Sequence, residues 1–204
     1  MKTKILIALV IIAVLVSSCR QRVIEYYPFT EAEKQMIPYE KGQPVSFIDS
    51  PGQTVTLTVT DDVTFWASRE DLEDFESIER RMVVLQSELG YYISLYIHGN
   101  YNATNGNKIS IGLSLYSNGI FDLYCDKNGQ FVISEHNDYK QYLYDSLEIN
   151  GKIYYDVVDR LVGKYRYLEN GEYVSGLSMQ LFYNKTYGIL QIKKDGKNFL
   201  MINQ

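Results

Sequence analysis

Cysteine and histidine, the residue types that most often carry nucleophilic or metal chemistry, occur only twice each in this chain of 204 residues. Cys19 and Cys125 lie far apart in the sequence, and so do His98 and His136. Neither pair has the spacing of a zinc motif, and the chain has no nucleophile elbow or glycine-rich phosphate loop. The sequence therefore predicts no catalytic residue, no metal site and no cofactor.

Acidic residues could form a calcium-binding loop or a catalytic pair of carboxylates. The segment Asp126–Gly129 looks like the start of a calcium loop, but its twelfth position is Asn137, where such a loop has Glu. A hairpin turn is the better interpretation. Paired carboxylates for glycoside hydrolysis can come from distant strands, so a glycan-acting hydrolase stays open as an alternative, although no pair among the 25 acids is singled out.

The surroundings of Cys19 are the most specific feature of the sequence. A basic start, Met1–Lys4, precedes an apolar run over Ile5–Val16. The run is shorter than the roughly 20 residues that span a bilayer, and this layout is that of a secretory signal. Small residues at Ser17 and Ser18 would let a peptidase cut before Cys19, whose thiol can carry diacylglycerol. The alternative is an uncleaved N-terminal anchor helix.

The segment Val16–Cys19 resembles the lipobox of bacterial lipoproteins. This resemblance implies cleavage after residue 18 and lipidation of Cys19, with acyl chains that make the attachment permanent. Because residue 20 is Arg and not Asp, it also implies delivery to the outer membrane. Some lipoproteins of Bacteroidetes reach the cell surface through an acidic run after the cysteine. Arg20–Arg22 contains none, which favours the periplasmic face.

Composition then bounds the mature protein. Loss of the 18-residue signal leaves 186 of the 204 residues and removes two lysines, so 18 basic residues face 25 acidic ones and the net charge is near −7. Nucleic acid is a poor partner for such a surface. We predict three parts: a signal peptide over 1–18, a lipid-anchored tether with a short helix over 19–44, and a single β-rich domain over 45–204.

Apolar residues alternate with polar ones through much of the domain. The alternation is clearest over residues 54–60, 91–97 and 109–116, and Gly, Asn-Gly or Asp-Gly signals separate the segments. We therefore predict a mostly β fold, an antiparallel meander forming a β-sandwich or partly closed barrel, with two short helices. A two-residue type I′ turn at Asp195-Gly196 would pair Ile192 with Phe199.

Cys125 continues the alternation of Phe121 and Leu123. A three-residue bulged turn over Ser117–Gly119 would set Ile111 opposite Cys125 on the buried face. We therefore predict a buried apolar thiol and not a nucleophile.

Two segments carry helix signals. Thr30 and Glu33 form a capping box for a helix that runs to about Met36. The second segment, Ser68–Arg81, has an acidic first half and an apolar stripe at helical spacing, which predicts an amphipathic helix. A cation site in this acidic run is the alternative.

Tyrosine is abundant, with 19 residues against a single tryptophan, Trp66. Core and cross-strand pairing explains most of them. An aromatic surface for glycan or peptide is the alternative, drawn from Tyr92, Tyr96, Tyr142, Tyr144, Tyr154, Tyr165 and Tyr167. In addition, Asp145–Leu147 matches the pattern that Bacteroidetes O-glycosylate in exported proteins, which makes Ser146 a candidate glycosylation site.

Short stretches near both ends resemble small lipoproteins of Bacteroidetes. They are residues 29–34, 38–42, 45–47, 183–192 and 195–197. The resemblance implies an envelope lipoprotein with a β-rich domain, and it carries over no catalytic residue. We predict a non-enzymatic binding or structural module held on the membrane by its lipid, with a protein or glycan as partner. The alternatives are the hydrolase above and a lipid-carrying half-barrel, which would contain an apolar cavity.

Overall fold

The computed structural model describes residues 24–69, 75–98, 108–113, 119–126, 129–136, 139–162, 166–169, 172–175 and 178–203. The predicted signal peptide and Cys19 lie outside the described residues. Within the described ranges, no helix has the length and hydropathy needed to cross a bilayer.

Strands make up nearly all of the described chain, and the predicted mostly β, antiparallel fold is confirmed. The elements are β1 (Ile24–Tyr27), α1 (Glu31–Lys34), β2 (Pro44–Asp49), β3 (Thr54–Arg69), β4 (Phe75–Gln86), β5 (Tyr92–His98), β6 (Lys108–Leu113), β7 (Gly119–Tyr124), β8 (Ser134–His136), β9 (Tyr139–Ile149), β10 (Lys152–Val162), β11 (Arg166–Glu169), β12 (Glu172–Ser175), β13 (Met179–Asn184), β14 (Gly188–Lys194) and β15 (Lys197–Ile202).

Thirteen strands of the described chain form one sheet. Twelve of them follow the order β7-β6-β5-β4-β3-β2-β15-β14-β13-β10-β9-β8, and β1 lies beside β4. Strands β11 and β12 form a separate pair. The sheet curls until its ends meet at Gln141 of β9, which is fully buried. The Gln141 amide accepts from the backbone N–H of Tyr124 at 3.1 Å and donates to the carbonyls of Tyr124 and Val132 at 2.9 and 2.6 Å. A side chain thus joins the ends where no continuous backbone ladder does, so the sheet is curled but not closed.

The N-terminal segment belongs to the folded domain and not only to a tether. Its side chains Phe29, Met36, Ile37 and Tyr39 lie in the core. The Tyr183 hydroxyl donates to the Met36 carbonyl, and the Ile189 N–H donates to the Tyr39 hydroxyl at 2.7 Å. The domain boundary predicted at residue 45 therefore falls inside the folded unit, because these residues fill the space that the curled sheet encloses.

The first predicted helix is present and the second is not. In α1, Thr30 and Glu33 form the predicted capping box. The helix predicted over Ser68–Arg81 is wrong: residues 75–81 belong to β4 and pair with β3, in a register that sets Ala67 opposite Ile78. Pairing with a long neighbouring strand outweighs a local helical pattern, because each strand residue gains both backbone hydrogen bonds and cross-strand contacts.

The Asp195-Gly196 turn confirms the two-residue loop but corrects its register. Both residues have positive φ, 48° and 73°, as a type I′ turn requires. A bulge between Ile192 and Lys193 then shifts the pairing, so that Ile192 lies opposite Leu200 and not Phe199. Ile192 and Leu200 are both fully buried, which the uninterrupted register would not achieve.

The register predicted between β6 and β7 is also wrong. Ile111 lies opposite Phe121, not Cys125, and Cys125 instead bridges to Phe131. The error is an even number of residues, so it leaves each side chain of β7 on the predicted face. Phe121, Leu123 and Cys125 are accordingly all buried.

Substitution of Gly188 by Ala is expected to destabilise the fold by about 2–4 kcal/mol. Gly188 has φ +75°, and a Cβ there would overlap the Tyr39 hydroxyl in the core. Gly196 is the matched control: its φ is +73°, but a Cβ there would meet nothing within 4 Å, so Gly196→Ala loses only the conformational part, about 1–2 kcal/mol. Urea unfolding measures both variants, and equal losses would contradict the predicted overlap.

Candidate functional site

Large apolar side chains that remain exposed are concentrated on two surfaces of the described chain. Tyr26, Val63, Phe65 and Trp66 form the first, which we call the arm patch because it lies toward the end of the β3–β4 ribbon that extends beyond β5. Tyr144, Ile153 and Tyr155 share one face of the second, the hairpin patch, on the β9–β10 hairpin, and Leu143 lies on the other face. Exposed apolar side chains that cluster mark interaction sites more often than isolated ones do.

The hairpin patch is built by a tight turn and a regular register. Asn150 and Gly151 both have positive φ and join β9 to β10 through a two-residue loop. The register places Ser146 opposite Tyr155 and Tyr144 opposite Val157. Residues opposite one another in an antiparallel pair share a face, and so do residues two apart on one strand. The exposed rings of Tyr144 and Tyr155 therefore stand on the same face as Ser146.

A buried carboxyl group anchors one edge of the hairpin patch. Asp159 of β10 is only 4% exposed, and its Oδ1 accepts a hydrogen bond from Gln180 Nε2 at 2.8 Å. Its Oδ2 accepts from the Tyr144 hydroxyl at 3.5 Å. Burial raises the pKa of Asp159, while the hydrogen bonds from Gln180 and Tyr144 oppose that rise. The Tyr144 hydroxyl thus points toward Asp159, while the residue remains 39% exposed.

The outer edge of β9 is open over most of its length in the part of the chain that the structure describes. β8 pairs only with Tyr139–Gln141, so residues 142–149 have a strand neighbour on the β10 side alone. An unpaired edge presents backbone N–H and C=O groups that can pair with an extended segment of another chain. Leu143 and Tyr144 lie on this edge.

The charge of the hairpin is predominantly negative. Asp145, Glu148 and Asp156 are exposed acids, and Lys140 and Lys152 are exposed bases. Asp145 and Asp156 fall in the gap between the pairs Ser146–Tyr155 and Tyr144–Val157, and Asp156 has a φ of 52°. Like charges near one another and a left-handed aspartate both cost stability. A partner with neutral or basic side chains would relieve the repulsion.

Two of the clefts lined by described residues have volumes of about 220 and 580 Å³. The smaller lies between the N-terminal segment, β2 and the β13–β14 turn, with Tyr39 and Tyr187 among its lining residues and no carboxylate. The larger lies along the threonines of β3 with Glu88 as its one acid. Neither cleft offers a pair of carboxylates. No cluster of three or more His, Cys, Asp or Glu suited to a metal ion occurs among the described residues.

The arm patch is organised by β1. This strand runs parallel to β4, with Tyr26 beside Ser77, and occupies the position along β4 that β5 does not reach. The Tyr26 ring meets the Trp66 ring edge-on, with centroids 5.7 Å apart and planes at 89°. The Trp66 side chain is 49% exposed and the Tyr26 side chain 63%, so the pair is formed but largely uncovered.

An arginine fixes the N-terminal segment onto this arm. Arg81 of β4 donates from Nε and Nη2 to the two carboxylate oxygens of Asp62, at 2.8 and 2.9 Å. It also donates to the carbonyls of Lys34, Ile37 and Tyr39 at 2.8–3.0 Å. Five hydrogen bonds match the five N–H donors of a guanidinium. Residues 34–39 are thus tied to the β3–β4 ribbon.

The tyrosines that the sequence singled out are divided among several places. Tyr142 and Tyr144 lie on the face of the hairpin patch, whereas Tyr154 is buried beside Tyr187. Tyr92 and Tyr96 belong to β5, Tyr167 to β11, and Tyr165 lies outside the described residues. Tyr155, the most exposed ring of the hairpin patch, is absent from the tyrosines that the sequence singled out. The Asn150-Gly151 turn, read as a two-residue loop, would have placed it opposite Ser146.

The remaining predicted residues can also be placed. His98 ends β5 and His136 ends β8, on strands that are not neighbours. Residues 127 and 128 of the calcium-like segment lie outside the described ranges, while Gly129 has a positive φ, 72°. Ser146 is exposed at the centre of the hairpin patch, so its glycosylation stays a prediction, and a sugar there would cover the patch.

The Cys125 thiol is buried, as predicted, and burial raises its pKa to about 12. We expect it to resist thiol reagents at pH 8 until the protein unfolds. The thiol ionises at lower pH in the unfolded chain than in the folded protein. The contribution of Cys125 to the free energy of unfolding is therefore complete below about pH 9 and falls as pH rises toward 12, by about 1 kcal/mol at pH 9.5.

Urea unfolding of the Cys19→Ser protein at pH 7.5 and 9.5 measures this loss, and the additional change Cys125→Ala should remove most of it. A folded thiol that reacts as fast as free cysteine would contradict the prediction.

Comparison with known proteins adds no relative: no protein-family model, curated protein or solved structure matches this chain.

Proposed function

We propose that this protein is a lipid-anchored, non-enzymatic binding module of the bacterial outer membrane, attached through Cys19 and facing the periplasm. Its partner is an extended, neutral or basic peptide segment of another envelope protein, which pairs with the free edge of β9 and packs on the hairpin patch. The single observation that carries the binding role is the exposed Tyr144–Tyr155 surface beside that open edge.

Three properties of the hairpin patch support a peptide partner. Tyrosine supplies large contact area at a low cost in conformational entropy. The β9 edge offers backbone hydrogen bonds to any extended chain. The acids Asp145, Glu148 and Asp156 favour a partner that carries no excess of negative charge.

The two alternative functions receive less support from the described residues. A glycan hydrolase needs two carboxylates flanking a bound sugar, whereas Asp145 and Asp156 are both exposed on a hairpin and outside either cleft. A lipid carrier needs an apolar cavity, whereas Met36, Ile37, Tyr39 and Phe47 fill the core face of the sheet.

Binding of the Cys19→Ser protein to arrays of extended octapeptides and of glycans tests the partner class. We expect neutral and basic peptides to bind, and Tyr155→Ala to weaken them about tenfold or more. Leu89→Ala is the matched control, because Leu89 and Tyr155 are both 66% exposed and Leu89 lies outside the patch. Tyr155-dependent binding to glycans alone, or no Tyr155-dependent binding, would overturn the proposed partner.

A further inference from the structure

The arm patch lies very close, along the chain, to the residue that the lipid would hold. β1 begins at Ile24, five residues after Cys19, and Tyr26 follows two residues later. Five extended residues span at most about 18 Å. If Cys19 is lipidated, as the proposed function requires, the arm therefore lies within reach of the headgroup region of the bilayer.

The fold brings the aromatic side chains of the arm to this same end. Ile24 pairs with Phe75, the first residue of β4, and the opposite strand β3 carries Trp66 and Phe65 toward its end. The Arg81–Asp62 ion pair and the three carbonyl contacts of Arg81 keep the N-terminal segment from moving away from the arm. A lipid at Cys19 would thus place the Tyr26–Trp66 pair near the membrane surface.

Each face of the arm carries an exposed aromatic ring at this end, which identifies the occupant. Trp66 lies opposite Glu79, whereas its neighbour Phe65 lies opposite Arg80, so the two rings project from opposite faces of the ribbon. A protein partner would ordinarily cover one face. A bilayer interface surrounds an inserted ribbon edge on both faces, and Trp and Tyr are the side chains that favour that interface.

We propose that the arm patch is a membrane contact: Tyr26, Trp66 and Phe65 insert into the headgroup region beside the lipid anchor and orient the domain. Four strands, β2, β15, β14 and β13, separate β3 from β10 in the sheet, a distance of about 20 Å or more along its surface. The hairpin patch is therefore available to a partner while the arm patch contacts lipid.

Trp66 is the only tryptophan in the chain, so its fluorescence reports on this surface alone. The test uses the native lipoprotein, expressed from the full chain, in vesicles of phosphatidylcholine with or without brominated acyl chains. Uncharged lipid is chosen because residues 70–74 include four carboxylates. We expect brominated lipid to quench Trp66 by about half and the emission maximum to lie at shorter wavelength than in the Cys19→Ser protein in buffer.

A matched pair of variants makes the test specific. Tyr26→Ser should reduce the quenching, whereas Leu89→Ser, with a similar exposure of 66% against 63%, should leave it unchanged. Flotation of the vesicles is measured on the same samples. If the protein floats with the vesicles but Trp66 is not quenched, the proposed membrane contact is wrong, whereas the proposed lipid anchor is supported. Protein that does not float refutes the lipid anchor, and the membrane contact with it.

Discussion

Replacing Cys19 with Ser is expected to move the protein from the membrane fraction to the soluble periplasmic fraction almost completely. The thioether-linked diacylglycerol requires the Cys19 sulfur, and each buried methylene of an acyl chain contributes about 0.8 kcal/mol to membrane attachment. The aromatic residues of the arm patch orient an anchored domain but cannot replace two or more acyl chains. Cell fractionation and metabolic labelling with an alkyne fatty acid measure the change.

Cys125 provides the matched control for this experiment. It is the other cysteine of the chain, and its thiol is buried. Cys125→Ala should leave both the label and the membrane fraction unchanged. Label that persists in the Cys19→Ser protein and disappears with Cys125→Ala would contradict the assignment of the lipid to residue 19.

Arg81→Ala is expected to lower the free energy of unfolding by about 3–5 kcal/mol, the usual cost of removing one partner of a buried ion pair. The side chains of Arg81 and Asp62 are 13% and 22% exposed, so little water can replace the lost contacts. The change also leaves the carbonyls of Lys34, Ile37 and Tyr39 without this donor. The Lys34 carbonyl lies in the last turn of α1, so the expected loss includes a hydrogen bond at the C-terminal end of this helix.

Arg81→Lys keeps the charge but cannot make five hydrogen bonds. Its free energy of unfolding should therefore lie between those of the wild type and Arg81→Ala. Urea unfolding of the Cys19→Ser protein measures all three, and the lysine variant keeps the test usable if Arg81→Ala does not fold. Limited proteolysis should cut near residues 28–40 faster in both variants. A loss below about 1 kcal/mol for Arg81→Ala would show that Arg81 does not fix the segment.

Much of the fold could be predicted because its signals are local. Period-two alternation, the Thr30–Glu33 capping box and the positive φ required at Asp195-Gly196 each depend on neighbouring residues. The wrong predictions concern which residues of neighbouring strands pair, a choice that the rest of the sheet and the core decide. The helix predicted over Ser68–Arg81 became strand because β3 was available to pair with it, and the bulge after Ile192 depends on which of Phe199 and Leu200 the core accommodates.

The candidate sites follow the same division. Cys19 and its surroundings form a contiguous motif, so a lipid anchor could be predicted from sequence alone, and it stays a prediction. Tyr26 and Trp66 are 40 residues apart and meet only because β1 runs parallel to β4 beside the β3–β4 ribbon. Asp159 looks like any other acid in the sequence, and only the fold buries it against Gln180 and Tyr144.

The intact mass of the native protein tests most directly whether the domain is attached through a lipid at Cys19. We expect a polypeptide of residues 19–204 whose N-terminal cysteine carries diacylglycerol and an amide-linked acyl chain, localised to residue 19 by fragmentation. A native protein that retains residues 1–18, or one that begins elsewhere with an unmodified N-terminus, would contradict it.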